Sequence, residues 1–176
     1  MIRFSHIFLY RGALRWPFII ILWLTLGLLL AVTALAQSRP DPKLTPGALN
    51  LEVTQTTISA TICVRGWTRT VRPPAQYTTA LKRQQLSKFG YADHHLSDFE
   101  EDHLIPLDLG GAPYDARNLW PQPRATADGW NADLKDELEA VLARRVCSRQ
   151  VPLADAQQAI ATDWIAAYNR FVIGEP

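Results

Sequence analysis

The chain has 176 residues, 48% apolar and 20% charged, which excludes a disordered or fibrous protein and leaves room for one ordinary domain with a short appendage. Its formal charge of +1 is unevenly laid: residues 1–36 carry Arg3, Arg11 and Arg15 and no acid, whereas residues 37–176 carry 15 Lys and Arg against 17 Asp and Glu, a net of −2. That division excludes a uniformly basic nucleic-acid coat and a protein with many membrane spans.

Residues 16–36 run for 21 positions without a charge. The arginines ahead of them set the N-terminus on the cytoplasmic side. Ala34-Leu35-Ala36 before Gln37 is a small-x-small pattern that a signal peptidase reads. The run also reaches the ~20 residues that span a bilayer. Residues 1–36 are therefore expected to be a signal peptide or an N-terminal membrane anchor. Either one exports the rest of the chain, which would be periplasmic, secreted, or tethered to the outer face of the inner membrane. Membrane contact would be confined to residues 16–36 of an uncleaved chain. Residues 37–49, with three prolines in QSRPDPKLTP, read as a linker, and residues 50–173 as the domain.

Residues 50–64 (NLEVTQTTISATICV) fit either a short helix capped by Asn50 or a strand. Pro73-Pro74 opens an expected helix that runs to about Lys88 and stops at Gly90. Residues 99–109 (FEEDHLIPLDL) are too punctuated for a helix and suggest a strand, ended by Gly110-Gly111. Asn118-Leu119-Trp120 suggests a second strand, stopped by Pro121 and Pro123. Trp130, Leu134, Leu138, Val141 and Leu142 form one apolar stripe of a helix predicted over residues 126–146. A last helix after Pro152 carries Ile160, Trp164, Ala167, Tyr168 and Phe171 on one face. The predicted class is α+β with little sheet. Cys63 and Cys147 are the two cysteines; in an oxidising compartment they read as one disulfide, and two buried free thiols are the other reading.

Chemistry concentrates at Glu101-Asp102-His103, fifteen residues ahead of Asn118. A histidine near its reference pKa of ~6.5 is a base at neutral pH, and a carboxylate beside it orients it. Asp and Asn oxygens suit hard divalent cations. Charge is also patterned: no acid lies between Glu52 and Asp93, a stretch that contains Arg65, Arg69, Arg72, Lys82, Arg83 and Lys88. Asp93, Asp98, Glu100, Glu101 and Asp102 follow at once. A basic surface beside an acidic pocket suits a phosphate backbone and a cation; two ordinary solvated faces are the plain alternative. Arg117 and Arg124 flank the second strand and either contact a phosphate or pair with Asp115 and Asp128. His94-His95 and the tryptophans read as loop and core residues.

The string Asp102-His103-Leu104-Ile105-Pro106-Leu107, Leu109-Gly110-Gly111 and Arg117-Asn118-Leu119-Trp120-Pro121, followed by Lys135-Asp136-Glu137-Leu138-Glu139, resembles the ββα-metal (His-Me finger) element of HNH endonucleases. It is most similar to small exported proteins reading EDHLIPL…LGG…NLWP. Thr61-Ile62-Cys63-Val64, Gly66-Trp67-Thr68, Val71-Arg72-Pro73-Pro74 and Leu81-Lys82-Arg83 extend the likeness, to about residues 50–170. The resemblance implies a ββα core with additional packing helices. In it His103 is the general base, Asp102 a metal ligand, and Asn118 the residue that braces the loop and holds the histidine. A further ligand is expected from the start of the next helix, Asn131 or, in its place, Asp128. One divalent ion, Mg²⁺ or Mn²⁺ with Zn²⁺ as the other choice, would serve phosphodiester hydrolysis. The implied activity is an exported, metal-dependent endonuclease of low sequence selectivity, with DNA ahead of RNA as substrate and no oligomer required. A non-catalytic envelope protein that uses the scaffold to bind nucleic acid or a partner is the alternative. One geometric condition stands out: adjacent strand residues point to opposite faces, so Asp102 and His103 share a site only where the strand twists or ends.

Overall fold

The computed structural model describes residues 38–174; the expected signal peptide or anchor (residues 1–36) and Gln37 lie outside the described residues. Among the described residues, four α-helices and one two-stranded antiparallel hairpin make up an α+β fold. In chain order they are α1 (Trp67–Val71), α2 (Ala75–Lys88), β1 (Phe99–His103), β2 (Leu119–Pro123), α3 (Ala132–Cys147) and α4 (Leu153–Tyr168), the last running on into one π-helical turn (Asn169–Ile173). Among the described residues no helix is long and apolar enough to cross a membrane.

The core lies between α3 and α4. Leu138, Leu142 and Val146 of α3 meet Ala156, Ile160 and Trp164 of α4, all essentially fully buried. Trp130 stands edge-on to both Trp164 and Tyr168, the offset geometry that aromatic quadrupoles favour. α2 covers the hairpin from another side, where Gln85 Nε2 donates to the Leu119 carbonyl at 2.9 Å and Lys82 Nζ donates to the Leu96 and Phe99 carbonyls, both at 2.7 Å. Cys63 and Cys147 form a disulfide with Cα atoms 5.5 Å apart, which ties the segment before α1 to the last residue of α3.

Several elements differ from their sequence reading. Residues 50–64 form neither a helix from Asn50 nor a strand, but turns and a single 3₁₀ turn (Ile58–Ala60); Asn50 Oδ1 accepts from the Glu52 amide, an Asx turn that closes locally. β2 passes through Pro121 and Pro123 instead of stopping there. Both prolines pair opposite Glu101 and Phe99 in the register that needs no amide donor, which a two-stranded ribbon tolerates. β1 ends at His103, and a 3₁₀ turn (Leu107–Leu109) takes the rest of the expected strand. α3 begins at Ala132 rather than at residue 126, because Asp128 and Gly129 adopt positive φ and Ala127 pairs back with Trp130. α1 has no counterpart in the sequence reading. α4 breaks at Asp163, whose Oδ1 accepts from the Ile165 and Ala166 amides and so caps the second half.

Residues 38–49, read as a linker, lie against the domain. Trp164 Nε1 donates to the Ser38 carbonyl at 3.0 Å, Arg39 pairs with Asp163, and Leu49 bridges to Gly111.

Candidate functional site

His103 is the last residue of β1, and its ring is almost wholly buried. Its Nε2 lies 3.0 Å from the Pro113 carbonyl oxygen. A carbonyl only accepts, so Nε2 carries the proton and the neutral ring keeps its lone pair on Nδ1. Burial holds the imidazole below its ordinary pKa, outweighing the Pro113 contact and the Asp102 charge, which work upward. The ring is therefore neutral near pH 7. Arg72, just after α1, places its positive charge near both this ring and Asp108.

The loop that presents Pro113 is held by Asn118. Its Oδ1 accepts from the Ile105 amide at 3.0 Å, and its Nδ2 donates to the carbonyls of Ile105 at 2.9 Å and Ala112 at 3.2 Å. The side chain is fully buried and stitches the exit of β1 to the entrance of β2. Gly111 lies against this brace: a Cβ there would stand 1.7 Å from the Ile105 carbonyl oxygen and 2.7 Å from Asn118 Nδ2, so the sequence needs glycine. Gly110 has φ +74° with Val53 packed over it, which accounts for the second glycine of the pair.

Asp102 leaves β1 on the other face, as the pleat requires. Its carboxylate meets α3, where Lys135 Nζ donates to Oδ2 at 2.6 Å. The same ammonium donates to the His103 carbonyl at 2.9 Å and to Glu139 Oε1, one turn further along α3. Burial alone would lower the Lys135 pKa, but the Asp102 and Glu139 charges and hydrogen bonds outweigh it and raise it, so the lysine stays charged. Burial pushes Glu139 upward against the pull of Lys135.

The expected ligands do not converge on Asp102. Asn131 is the N-cap of α3: its Oδ1 accepts from the Leu134 amide at 3.1 Å and its Nδ2 lies 3.4 Å from Thr126 Oγ1. Asp128 is exposed in the turn before it. The helix residue that meets Asp102 is Lys135. A divalent ion requires several free oxygens; Asp102 Oδ2 is taken by a cation of the chain itself, and among the described residues Asp102 belongs to no cluster of three His, Cys, Asp or Glu ligands, so the side chains as arranged do not fit a divalent ion there. The Asp93, His95 and Asp98 side chains do approach within ligand distance of one another, in an exposed loop where Asp93 Oδ1 already contacts the His95 amide and ring.

The basic residues divide. Arg117 pairs with Asp115 at 2.6 Å, the plain alternative, whereas Arg124 pairs with Glu100 at 2.7 Å instead of with Asp128, and Lys82 is spent on two carbonyls. Arg65, Arg69, Arg83 and Lys88 are exposed, as is Arg72 at the edge of the site. Glu101 lies on the α2 side of the hairpin, with neither carboxylate oxygen hydrogen-bonded among the described residues; burial pushes its pKa up to about 8, against the opposing Lys82 charge.

The sequence names Lys135 and Glu139 only within the helix string of the likeness, with no role for either, and the Pro113 carbonyl not at all. Lys135 stands three residues before Leu138 and seven before Leu142, on the buried stripe, which is the signal that marks it. A backbone carbonyl carries no signature in the sequence at all.

Comparison with family models, with curated proteins and with solved structures finds no match to this chain.

Proposed function

We propose that the chain is an exported phosphodiester hydrolase of the ββα, HNH-like kind, acting on DNA or RNA with little sequence selectivity. One observation carries this reading: His103 is neutral, its tautomer is set by the Pro113 carbonyl, and its Nδ1 lone pair remains for a proton. Such a group can take the proton of an attacking water as the new bond to phosphorus forms. Arg72 is exposed and its charge acts on the imidazole, and it supplies charge for the phosphate. Arg65 and Arg69 extend a basic surface along the backbone of a nucleic acid. No step is assigned to a divalent ion, because Lys135 already neutralises Asp102. Export is supported by the disulfide and the apolar leader.

The occupation of Asp102 by Lys135 favours a second reading, a scaffold that binds nucleic acid without cutting it. Supercoiled plasmid, single-stranded DNA and RNA incubated with the oxidised full-length chain separate the two, with and without Mg²⁺ and EDTA. The hydrolase reading expects cleavage that falls by ~10²-fold or more in His103→Ala. Retained binding with no turnover, unchanged in His103→Ala, would replace it with the scaffold reading.

A further inference from the structure

An ammonium donates three protons and accepts none. Those of Lys135 are matched by three oxygens, Asp102 Oδ2, the His103 carbonyl and Glu139 Oε1, drawn from β1 and from α3. The lysine is fully buried, and its stem runs along the stripe that carries Leu138 and Leu142. An isolated charge so placed would cost several kcal/mol, and it is tolerated because every proton has a partner and a carboxylate balances it. The three acceptors are hard oxygens converging from a strand end and the following helix, the composition of a divalent-cation site.

We infer that the Lys135 ammonium is the resident cation of this scaffold: Asp102, Glu139 and the His103 carbonyl form an oxygen cage that the chain fills with its own side chain, around the one carboxylate, Asp102, to which the ββα likeness assigns a divalent ion. The inference goes beyond the hydrolase reading, since it concerns which cation the cage holds and is decided by binding, whatever the turnover. A divalent ion entering the cage would have to expel an ammonium anchored by its packed stem, and one approaching the other oxygen of Asp102 would meet the repulsion of that ammonium at close range. Lys135 is also out of reach of any substrate, so it is a positioning residue. It fixes the Asp102 carboxylate and the backbone of His103 from beneath.

The test uses the oxidised full-length chain in nonionic detergent, with Mn²⁺ as the probe, read by calorimetry, electron paramagnetic resonance and thermal melting. The wild type is expected to show no saturable Mn²⁺ site that depends on Asp102, and a melting temperature indifferent to EDTA. Lys135→Ala is expected to bind one Mn²⁺ more tightly than the wild type by about tenfold or more, and to melt higher when it does. Asp102→Asn in that background should abolish the gain. Any Mn²⁺ held by the exposed Asp93, His95 and Asp98 loop is identified separately, because His95→Ala removes it and Asp102→Asn does not. A wild-type site lost in Asp102→Asn overturns the inference, as does a folded Lys135→Ala that gains none. Should that variant not fold, the ¹⁵N signal of the Lys135 ammonium in the wild type decides: sharp and unmoved by Mn²⁺ supports the inference, broadened by it overturns it.

Discussion

Asn118 spends its amide on three backbone groups of one loop, at Ile105 and Ala112. Glu101, two positions before His103 in the same strand, has the opposite character: a buried carboxylate with no donor on either oxygen and a pKa pushed up to about 8 by burial. A raised carboxyl stabilises the fold below its unfolded pKa of ~4.3, and that stability is lost as pH climbs through the folded value. The wild type should therefore lose stability between about pH 4.5 and pH 8 through this group. Glu101→Gln removes the penalty, and its melting temperature should exceed that of the wild type at pH 9 by roughly 5–10 °C while matching it near pH 4. Melting curves at the two pH values check this, and equal differences at both would refute it.

At the scale of elements, the start of α3 decides how the hairpin and helix meet. The positive φ of Asp128 and Gly129 turns the chain, and Asn131 caps the helix that follows. Asn131→Ala should cost about 1 kcal/mol, the usual loss of an N-cap, and leave the response to divalent ions unchanged; a chemical denaturation series with and without Mn²⁺ measures both. The order strand, turn, strand, helix was legible because its signals are local: Gly110-Gly111, the two prolines after Trp120 and the α3 stripe. Asn118 as the brace of the loop came from the ββα likeness and not from local pattern. The Cys63–Cys147 bond was legible too, from the count of two cysteines; what escaped was set by side-chain packing. The apolar period placed Trp130 inside a helix, but the turn at Asp128 leaves it ahead of the helix, packed on Trp164. Likewise Lys135 stands in the sequence on the helix edge that carries Asn131, but only packing shows that it is the residue that meets Asp102. Pro121 and Pro123 looked like strand breakers, which they are only where an amide is required.

For the whole molecule, the disulfide joins positions 84 residues apart. Closing a loop of that length restricts the unfolded chain by ~4 kcal/mol in the chain-entropy model. Reduction, or Cys63→Ser, should lower the melting temperature by roughly 8–15 °C, checked by thermal melting with and without a reductant; an unchanged melt would show that the α3–α4 core alone holds the fold. The bond has a topological consequence too. Arg65, Arg72, Glu101, Asp102, His103, Pro113, Asn118, Lys135 and Glu139 all fall between Cys63 and Cys147, on a closed covalent ring. One peptide bond cut anywhere between residues 64 and 146 opens that ring into a branched chain still held as one piece, whereas a cut outside it sheds a fragment. The stretch that carries the site is the stretch no single cut can detach.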